Sequence, residues 1–428
     1  MKRENRKKQN RRKTGVRLIL LSFLLIPLFS YLYIISLHSN NLINLPLSIL
    51  MVWLDVASLF ILLAGIVLVI NNKKDENYKK MRLWKKIVLT IFFIGYIGCS
   101  STLMILFYGP YNGFRDWYVT SAMTTLSHQY LATWIYDDDT IEAIRYDNDV
   151  IEVKEDTNPD LVEITGGDVT ISVYANQYEE EILKKDKGND LYKIIDIKEK
   201  NFKGKMAVIY DPSKVHIAPS KYIGSDVETA KGQMIYTMEK DSGSVISMNA
   251  SGFYDPDYNS KGGVPRGCVI SNGKKIINNA GYKFSVGGLI GFNNENKLVL
   301  SRTMTCDEAM KSGIRDAIQY GPFLIVNGKS SYVKGNGGWG VAPRSAIAQR
   351  KDGIVLFLVI DGRQKSSLGA DMKDLSNILL RYGAYNAANL DGGTSSAMSV
   401  NGSIITHPMN GNFQPKTRIV PDAWVVHK

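Results

Sequence analysis

The stretch "RSAIAQRKDGIVLFLVID" (residues 344–361) contains two apolar runs that a short polar segment separates. Both runs have the length and the β-branched content of strands, and the Lys-Asp-Gly sequence between them is typical of a hairpin turn. The turn sequences "SNGK", "VNGK" and "VNGS" separate similar runs at residues 271–274, 326–329 and 400–403. From about residue 191 onwards, the chain is therefore predicted to form antiparallel hairpins.

Two amphipathic segments interrupt these strands. Residues 305–320 begin with Thr305 and Glu308, which have the spacing of a capping box. Residues 370–383 end at Gly383, a residue type favoured just after a helix. Because the helices are few and most strand pairings look local, the sequence predicts a mixed, mainly antiparallel, β-rich α+β domain over residues 191–428.

The N-terminal part of the chain is apolar instead. Runs at residues 16–37, 45–70 and 86–108 are each long enough to cross a hydrocarbon core of about 30 Å as a helix. A small-residue cleavage site does not follow the first run, so this run is predicted to be a retained anchor rather than a signal peptide. We therefore predict a three-helix transmembrane anchor over residues 1–108.

The net charge of +11 is unevenly distributed along the chain. Residues 1–17 carry nine Lys and Arg residues, residues 71–86 carry seven, and the short connection at 38–44 carries none. Positive charge collects on the cytoplasmic side of a membrane, so the pattern predicts a multi-pass protein with a cytoplasmic N-terminus and an extracellular C-terminal domain. The rest of the chain is nearly neutral, which argues for the lipid bilayer and against nucleic acid as a partner.

Two segments connect the predicted anchor to the predicted external domain. Residues 109–136 carry aromatic residues at nearly helical spacing and are predicted to form a juxtamembrane amphipathic helix. Residues 137–190 begin with an acidic run and are predicted to be a linker with a partly ordered lead-in. Within the external domain, Cys268 and Cys306 are compatible with either a disulfide or two buried thiols.

Four Gly-rich clusters follow apolar runs in the predicted domain. They are "NASGFYDPD" at 249–257, "GPFLIVNGK" at 321–329, "APRSAIAQRKDG" and "LVIDGRQ" between 342 and 364, and "NLDGGTSSAMSVNG" at 389–402. Loops that follow buried strands often carry function. Their Asp, Asn and Arg residues suit hydrolysis of a charged, polyhydroxylated substrate, and the planar fork of arginine suits a phosphate. The sequence contains no G-x-S-x-G, Walker or H-E-x-x-H motif.

The order and spacing of these clusters resemble the phosphodiester glycosidase family over residues 195–428. The family is typified by the "uncovering" enzyme that removes N-acetylglucosamine from a phosphodiester, and membrane-anchored bacterial members are often described as exopolysaccharide biosynthesis proteins. The resemblance implies an extracytoplasmic hydrolase that cleaves a sugar-1-phosphodiester. Its expected substrate is a phosphosugar-containing surface polysaccharide, wall polymer or glycoconjugate.

The resemblance also implies roles for individual residues. Arg344 and Arg363 would bind the phosphate, and Asp391 would activate water or stabilise the sugar cation, with Asp361 as its partner or orienting group. Gly392 and Gly393 would allow a close approach of the backbone. The further candidates for substrate binding are Asn249, Asn327, Asn389, Ser395 and Ser396.

Two other functions remain compatible with the sequence. A glycan-binding or assembly accessory could use the same fold without turnover, and a transferase could pass a phosphosugar to an acceptor. No cofactor or metal is expected, although a divalent cation such as calcium is left open. Residues 255–266 match the first three ligands of a calcium loop but carry Ser260 and Arg266 where the motif has glycine and glutamate.

Overall fold

The computed structural model describes residues 2–37, 45–71, 112–125, 128–165, 174–255, 261–279, 287–410 and 413–428, with scattered positions between 91 and 108. The chain divides into two compact units, Met1–Tyr146 and Asp147–Lys428. The described helices are α1 (Lys2–Leu37), α2 (Leu45–Asn71), α3 (Asn112–Met123), α4 (Tyr130–Thr133), α5 (Asp138–Asp147), α6 (Gln177–Leu183), α7 (Ile235–Asp241), α8 (Cys306–Lys311) and α9 (Met372–Arg381).

The described strands lie in the second unit. They are β1 (Asp149–Ile151), β2 (Tyr192–Lys198), β3 (Lys203–Ile209), β4 (Val215–Pro219), β5 (Ser244–Asn249), β6 (Gly267–Ser271), β7 (Lys274–Asn279), β8 (Gly288–Asn293), β9 (Leu298–Ser301), β10 (Ile314–Tyr320), β11 (Phe323–Val326), β12 (Lys329–Ser330), β13 (Tyr332–Lys334), β14 (Arg344–Arg350), β15 (Val355–Ile360), β16 (Ala384–Asn389), β17 (Met398–Val400), β18 (Ser403–Ile404) and β19 (Asp422–His427).

Among its described residues, the first unit contains two helices that are long and apolar enough to cross a membrane, over Arg6–Tyr33 and Trp53–Asn71. Three such helices were expected, and the third, at residues 86–108, falls largely outside the described residues. α1 and α2 pack closely, and the hydroxyl of Ser30 donates a hydrogen bond to Asp55 Oδ2 (2.7 Å). A polar group on α1 therefore partners the carboxyl group within the second apolar run.

The aromatic segment that follows is divided between two helices. α3 ends at Met123 and α4 begins at Tyr130, so residues 109–136 do not form one continuous helix. Val119 and Ala132 are buried with residues of α5 in a small core of their own. The break lets the two short helices turn their apolar faces towards each other, which one straight amphipathic helix could not do.

The second unit is an α+β arrangement of three larger sheets and a two-stranded one. The strand orders are β12-β11-β16-β14-β15-β3-β2, β7-β6-β10-β8-β9, β18-β17-β5-β19-β4 and β1-β13, and every pairing between the described strands is antiparallel. The β-rich α+β class predicted from the hairpin pattern is thereby confirmed.

The stretch at residues 344–361 forms the centre of the seven-stranded sheet. β14 and β15 pair from Arg344 opposite Ile360 to Gln349 opposite Val355. Alternate residues of β15 enter two different cores: Phe357 packs with residues of the two five-stranded sheets, and Leu358 packs with α9. Because both faces of β15 are covered, its sequence is continuously apolar rather than alternating.

The predicted helix over residues 305–320 is partly wrong. The capping box of Thr305 and Glu308 is present, but α8 ends at Lys311 and β10 follows. Gly313 separates the two with φ +74°, which glycine adopts at little cost. β10 then lies between β6 and β8, so its sheet position outweighs the helical periodicity of its sequence. The second predicted helix is confirmed as α9.

The segment at residues 137–190 contains α5, β1 and α6 among its described residues. Val150 of β1 is buried in the core beside α9. Further along, the backbone N–H of Thr157 donates to the carbonyl of Leu300 in β9 (3.0 Å). The backbone N–H of Leu300 donates in turn to the hydroxyl of Thr157 (2.9 Å). A disulfide joins Cys268 of β6 to Cys306 of α8, which resolves the open alternative for these cysteines.

Candidate active site

Part of each of the four Gly-rich clusters lies at one end of the strands of the seven-stranded sheet. β14 begins at Arg344 opposite the end of β15, and Ala346 pairs with Asn389 at the end of β16. Antiparallel neighbours present alternate ends at one edge, so the loops after β15 and β16 and the start of β14 adjoin. Asn249, at the end of β5 in a neighbouring sheet, contacts the same loops.

Asn249 ties these segments together. Its Nδ2 donates to the carbonyl of Asp391 (2.7 Å), and its Oδ1 accepts from the hydroxyl of Ser345 (2.8 Å) and from the backbone N–H of Ala397 (3.2 Å). The side chain is fully buried. Its donor and its acceptor are both engaged by protein, so Asn249 positions the turn that carries Asp391.

The carboxylate of Asp391 is held by hydroxyl groups. The phenol of Tyr320 donates to its Oδ1 (3.2 Å), and Ser395 supplies a further side-chain hydrogen bond. Burial raises the pKa of Asp391, while the hydrogen bond from Ser395 and the charges of Arg418 and Arg266 oppose the rise. Burial likewise raises the pKa of Tyr320, so this phenol remains a hydrogen-bond donor.

Tyr320 reaches Asp391 across a glycine. A Cβ at Gly252, in the "NASGF" cluster, would lie 2.5 Å from Cε2 of the tyrosine ring. The ring therefore occupies the space that any larger residue at this position would need. Gly252 thus leaves room for the ring of Tyr320 beside Asp391.

The guanidinium of Arg344 is anchored on backbone carbonyls. Nε donates to Ala370 O (3.2 Å), and Nη2 donates to Gly340 O (2.6 Å) and to Trp339 O. Nη1 lies 3.4 Å from the position that a Cβ on Gly392 would take. Burial lowers the pKa of Arg344 to about 10, which leaves it a cation at neutral pH. One edge of the group is thus fixed, and the other adjoins the Asp391 turn.

Arg363 approaches the same turn from the loop after β15. Its backbone has φ +59°, an uncommon value for a residue other than glycine. Its Nη1 donates to Thr394 Oγ1 (3.1 Å), and its Nη2 lies 3.1 Å from the position of a Cβ on Gly393. Arg344 and Arg363 therefore meet two successive glycines directly after Asp391. Gly393 also has φ +62°, so a side chain there would be strained as well as close to Arg363, whereas a Cβ on Gly392 would be closest to the carbonyl of Pro343 (3.1 Å).

A second layer of charged groups surrounds Asp391. Arg418 pairs with Asp255 (2.7 Å) and lies over the ring of Phe253. Asp422, at the start of β19, accepts hydrogen bonds from the backbone and the hydroxyl of Ser251. Burial raises the pKa of Asp422 to about 6, and the charge of Asp391 contributes to the rise.

Asp361 faces a histidine rather than Asp391. Its Oδ1 accepts from the backbone N–H of His407 (2.7 Å), and its Oδ2 lies 3.0 Å from His407 Nδ1. The Asp361 carboxylate is buried beneath the exposed imidazole. It therefore orients His407, a residue that has no metal-ligand spacing in the sequence.

The remaining candidates divide between the cluster and a distant turn. Asn389 donates from Nδ2 to the carbonyl of Gly321 (2.9 Å), and its Oδ1 and the hydroxyl of Ser396 are buried without a partner among the described residues. Asn327 lies in the turn between β11 and β12, where its amide contacts Asp156 and Asn158. The structure thus brings Asn389 and Ser396 into the cluster and places Asn327 outside it.

Sequence reasoning missed Tyr320, Arg418, Asp422 and His407. The segment "RIVPDAW", in which Arg418 and Asp422 precede an apolar strand, resembles the other clusters but lacks their glycine. Tyr320 was hidden at the end of a segment predicted to be helical.

The described residues contain no group of three or more His, Cys, Asp and Glu side chains that could hold a metal ion. Two of the three matching positions in the calcium-like segment, Asp257 and Asn259, fall outside the described part of the chain. The third, Asp255, pairs with Arg418. A divalent cation therefore stays an open alternative.

Comparison with known proteins places this cluster in a family context. The family model "phosphodiester glycosidase" matches residues 242–427. An uncharacterised SPbeta prophage-derived protein of Bacillus subtilis, YomE, is 30% identical over 208 residues, which cover 47% of this chain and 31% of that protein. The N-acetylglucosamine-1-phosphodiester alpha-N-acetylglucosaminidase of Bos taurus is 31% identical over 68 residues, 16% of this chain and 13% of the relative. The chain thus spans less than a third of the length of these curated relatives.

Two solved structures are similar in part. The catalytic domain of the zebrafish enzyme of the same name, auto-inhibited by its pro-peptide, has a TM-score of 0.46 at 19% identity, covering 55% of this chain and 82% of that one. A putative exported protein of Burkholderia pseudomallei has a TM-score of 0.38 at 14% identity, covering 53% and 74%.

Proposed function

Because the chain belongs to the phosphodiester glycosidase family through residues 242–427, we propose that it is a hydrolase that cleaves a sugar-1-phosphodiester. The observation that carries the proposal is the pair of guanidinium groups, Arg344 and Arg363, beside the turn of Asp391. A pair of cations next to a partly buried carboxylate suits a substrate that joins an anion to a sugar.

The two arginines would stabilise the departing phosphate. Cleavage of a sugar C1–O bond passes through an oxocarbenium-like transition state while negative charge grows on the leaving group. Arg344 needs little reorganisation, because backbone carbonyls already hold its Nε and Nη2. Donors fixed in advance are those that contribute most to transition-state stabilisation, typically about 10²–10³-fold in rate for each.

Asp391 would act on the sugar side, either by activating water or by stabilising the sugar cation. The hydrogen bonds from Tyr320 and Ser395 fix the direction of its carboxylate. Burial raises its pKa, and a base of raised pKa accepts a proton from water more readily once it is ionised.

Two buried oxygens supply candidate contacts for the sugar. Asn389 Oδ1 and Ser396 Oγ have no partner among the described residues. A buried polar atom without a partner costs about 1–3 kcal/mol, which a ligand hydroxyl would offset. We assign Asn249 to positioning, since its amide is already engaged by protein.

We place the hydrolase on the outer face of a membrane, with a phosphosugar-containing surface polymer or glycoconjugate as its substrate. The support is the basic N-terminus, two helices apolar enough to span a bilayer, and the Cys268–Cys306 disulfide. Disulfides persist in oxidising compartments outside the cytoplasm.

Release of free sugar from UDP-N-acetylglucosamine tests the reaction. The full-length chain in detergent is incubated with this simple sugar-1-phosphodiester, with and without EDTA. Asp391→Asn should lower turnover by several orders of magnitude while the protein stays folded. The matched control is Asp307→Asn, which alters a surface carboxylate paired with Lys275.

An Asp391→Asn variant with wild-type turnover would remove Asp391 from the reaction. Binding without cleavage of this substrate and of purified wall polymers would favour the accessory function. Products that appear only when an acceptor is supplied would favour the transferase.

A further inference from the structure

Asp361 and His407 form a pair that joins a buried carboxylate to an exposed imidazole. The carboxylate side chain is 8% exposed, whereas the imidazole it holds is 72% exposed. An acidic acceptor on Nδ1 requires that this nitrogen carry a proton. Nε2 is therefore the ring nitrogen that remains for a ligand, and its orientation is set by the contacts on the opposite side of the ring.

Arg363 connects this pair to the phosphate side of the proposed site. Its Nη1 donates to Thr394 Oγ1 (3.1 Å), in the turn after the catalytic carboxylate, and to the carbonyl of Met409 (3.4 Å), two residues after His407. One guanidinium thus bridges the segment that carries the histidine and the Gly-rich turn. His407 lies on the Arg363 side of the cluster.

We propose that His407 donates a proton from Nε2 to the departing phosphate and that Asp361 is its positioning residue. The inference rests on the proposed hydrolysis and assigns one further group to it. Asp361 contacts His407 from the loop after β15, which also carries Arg363 and Lys365, and the segment that follows His407 carries Lys416 and Arg418. The contacting carboxylate offsets the repulsion between a protonated imidazole and the neighbouring guanidinium.

The step balances with water alone as co-reactant. Water attacks C1 of the sugar and gives a proton to the Asp391 carboxylate, while the C1–O bond to phosphate breaks with its electron pair on the oxygen. That oxygen takes the proton from His407 Nε2, so the phosphate leaves as a monoester. Asp391 then releases its proton to solvent, and the exposed imidazole regains one.

Removal and chemical replacement of the imidazole test the assignment in the full-length chain. With UDP-N-acetylglucosamine as the probe, His407→Ala should lower kcat by about 10²–10⁴-fold with little change in KM. Added imidazole should restore part of the rate, because the exposed position leaves room for it. The basic limb of the pH–rate profile should flatten in the variant. Asp361→Asn should lose less than His407→Ala and should not respond to imidazole.

His427→Ala is the matched control, since His427 contacts His216 and Ser244 rather than the arginine cluster. It should keep wild-type kcat. A His407→Ala variant with wild-type kcat, or with a loss that imidazole does not relieve, overturns the acid role alone. A wild-type chain that is inactive on this substrate and on wall polymers overturns the proposed hydrolysis and the acid role together.

Discussion

Asp422 is buried, and the charge of the partly buried Asp391 contributes to raising its pKa. Asp422 is fully buried at the start of β19, and its two oxygens accept hydrogen bonds from Ser251. These bonds favour the ionised form, yet burial outweighs them and the pKa rises to about 6. The folded state therefore binds a proton that the unfolded chain, with an aspartate pKa of about 3.9, has already released.

This difference predicts a pH-dependent stability. A folded pKa above the unfolded value stabilises the fold below about pH 4, and the stabilisation is lost as the pH rises through about 6. Asp422→Asn should remove this pH-dependent loss of stability, which is on the order of 2–3 kcal/mol at most. The amide of the variant can still form hydrogen bonds with the backbone N–H and the hydroxyl of Ser251. Thermal unfolding of the full-length chain between pH 4 and 7 measures the effect.

Asp307→Asn is the control for this measurement. The hydrogen bond from Lys275 lowers the pKa of Asp307, so its contribution has the opposite sign. If the stability of wild type and of Asp422→Asn depends on pH in the same way, Asp422 is ionised throughout this range. Its burial would then not destabilise the fold as the pH rises.

At the scale of elements, the site depends on where strands end. The end of β5 supplies Gly252 shortly after Asn249, and the end of β10 supplies Tyr320. The hairpins and α9 were predictable, because their turn and cap residues are local in sequence. β10 was not predictable, because it forms a strand through its pairing with β6 and β8. The periodicity of a sequence does not report such tertiary contacts.

The same limit applies to the site. The structure brings together Asp391, Arg344 and Arg363, which the sequence marks as candidates: Asp391 and Arg363 each lie beside a glycine, and Arg344 begins an apolar strand. Tyr320 and His407 could not be predicted as site residues, because the local sequence marks neither. Each becomes significant only through its contact with a carboxylate that is distant in sequence.

The contact between Gly252 and Tyr320 predicts the effect of one methyl group. Gly252→Ala would place Cβ 2.5 Å from the Tyr320 ring, so the ring must move away from Asp391. Overpacking of this kind costs about 1–3 kcal/mol, and turnover should fall to a level similar to that of Tyr320→Phe, which removes the same hydrogen bond. Kinetics of both variants and of their combination measure the effect.

The combined variant identifies the cause. If Gly252 acts only through the tyrosine hydroxyl, Gly252→Ala should have little further effect on kcat in a Tyr320→Phe background. Additive losses would mean that the glycine serves another contact. Gly243→Ala is the control for a glycine outside the site, because a Cβ there meets no atom within 4 Å, although its φ of +70° carries a small backbone cost.

At the scale of the whole molecule, charge and chemistry are separated along the chain. The basic residues concentrate at 1–17 and 71–86, whereas the proposed site and the disulfide lie in the unit Asp147–Lys428. A basic surface would attract anionic polymers everywhere, whereas Arg344 and Arg363 meet only at the Asp391 turn. In the proposed function, the net charge therefore determines the membrane topology, and the two arginines determine the specificity for phosphate.

This separation predicts opposite accessibility for the two ends of the chain. In a Cys99→Ser background, the described residues contain no cysteine outside the disulfide, so a single new thiol can be labelled. Lys428→Cys should react with a membrane-impermeant maleimide on intact cells, whereas Lys2→Cys should react only after the cells are permeabilised. Labelling of both positions on intact cells, or of Lys2→Cys alone, would contradict the topology.

Replacing the seven Lys and Arg residues of 71–86 by Gln, with the N-terminal ones retained, should weaken the orientation signal and make the labelling of Lys428→Cys incomplete.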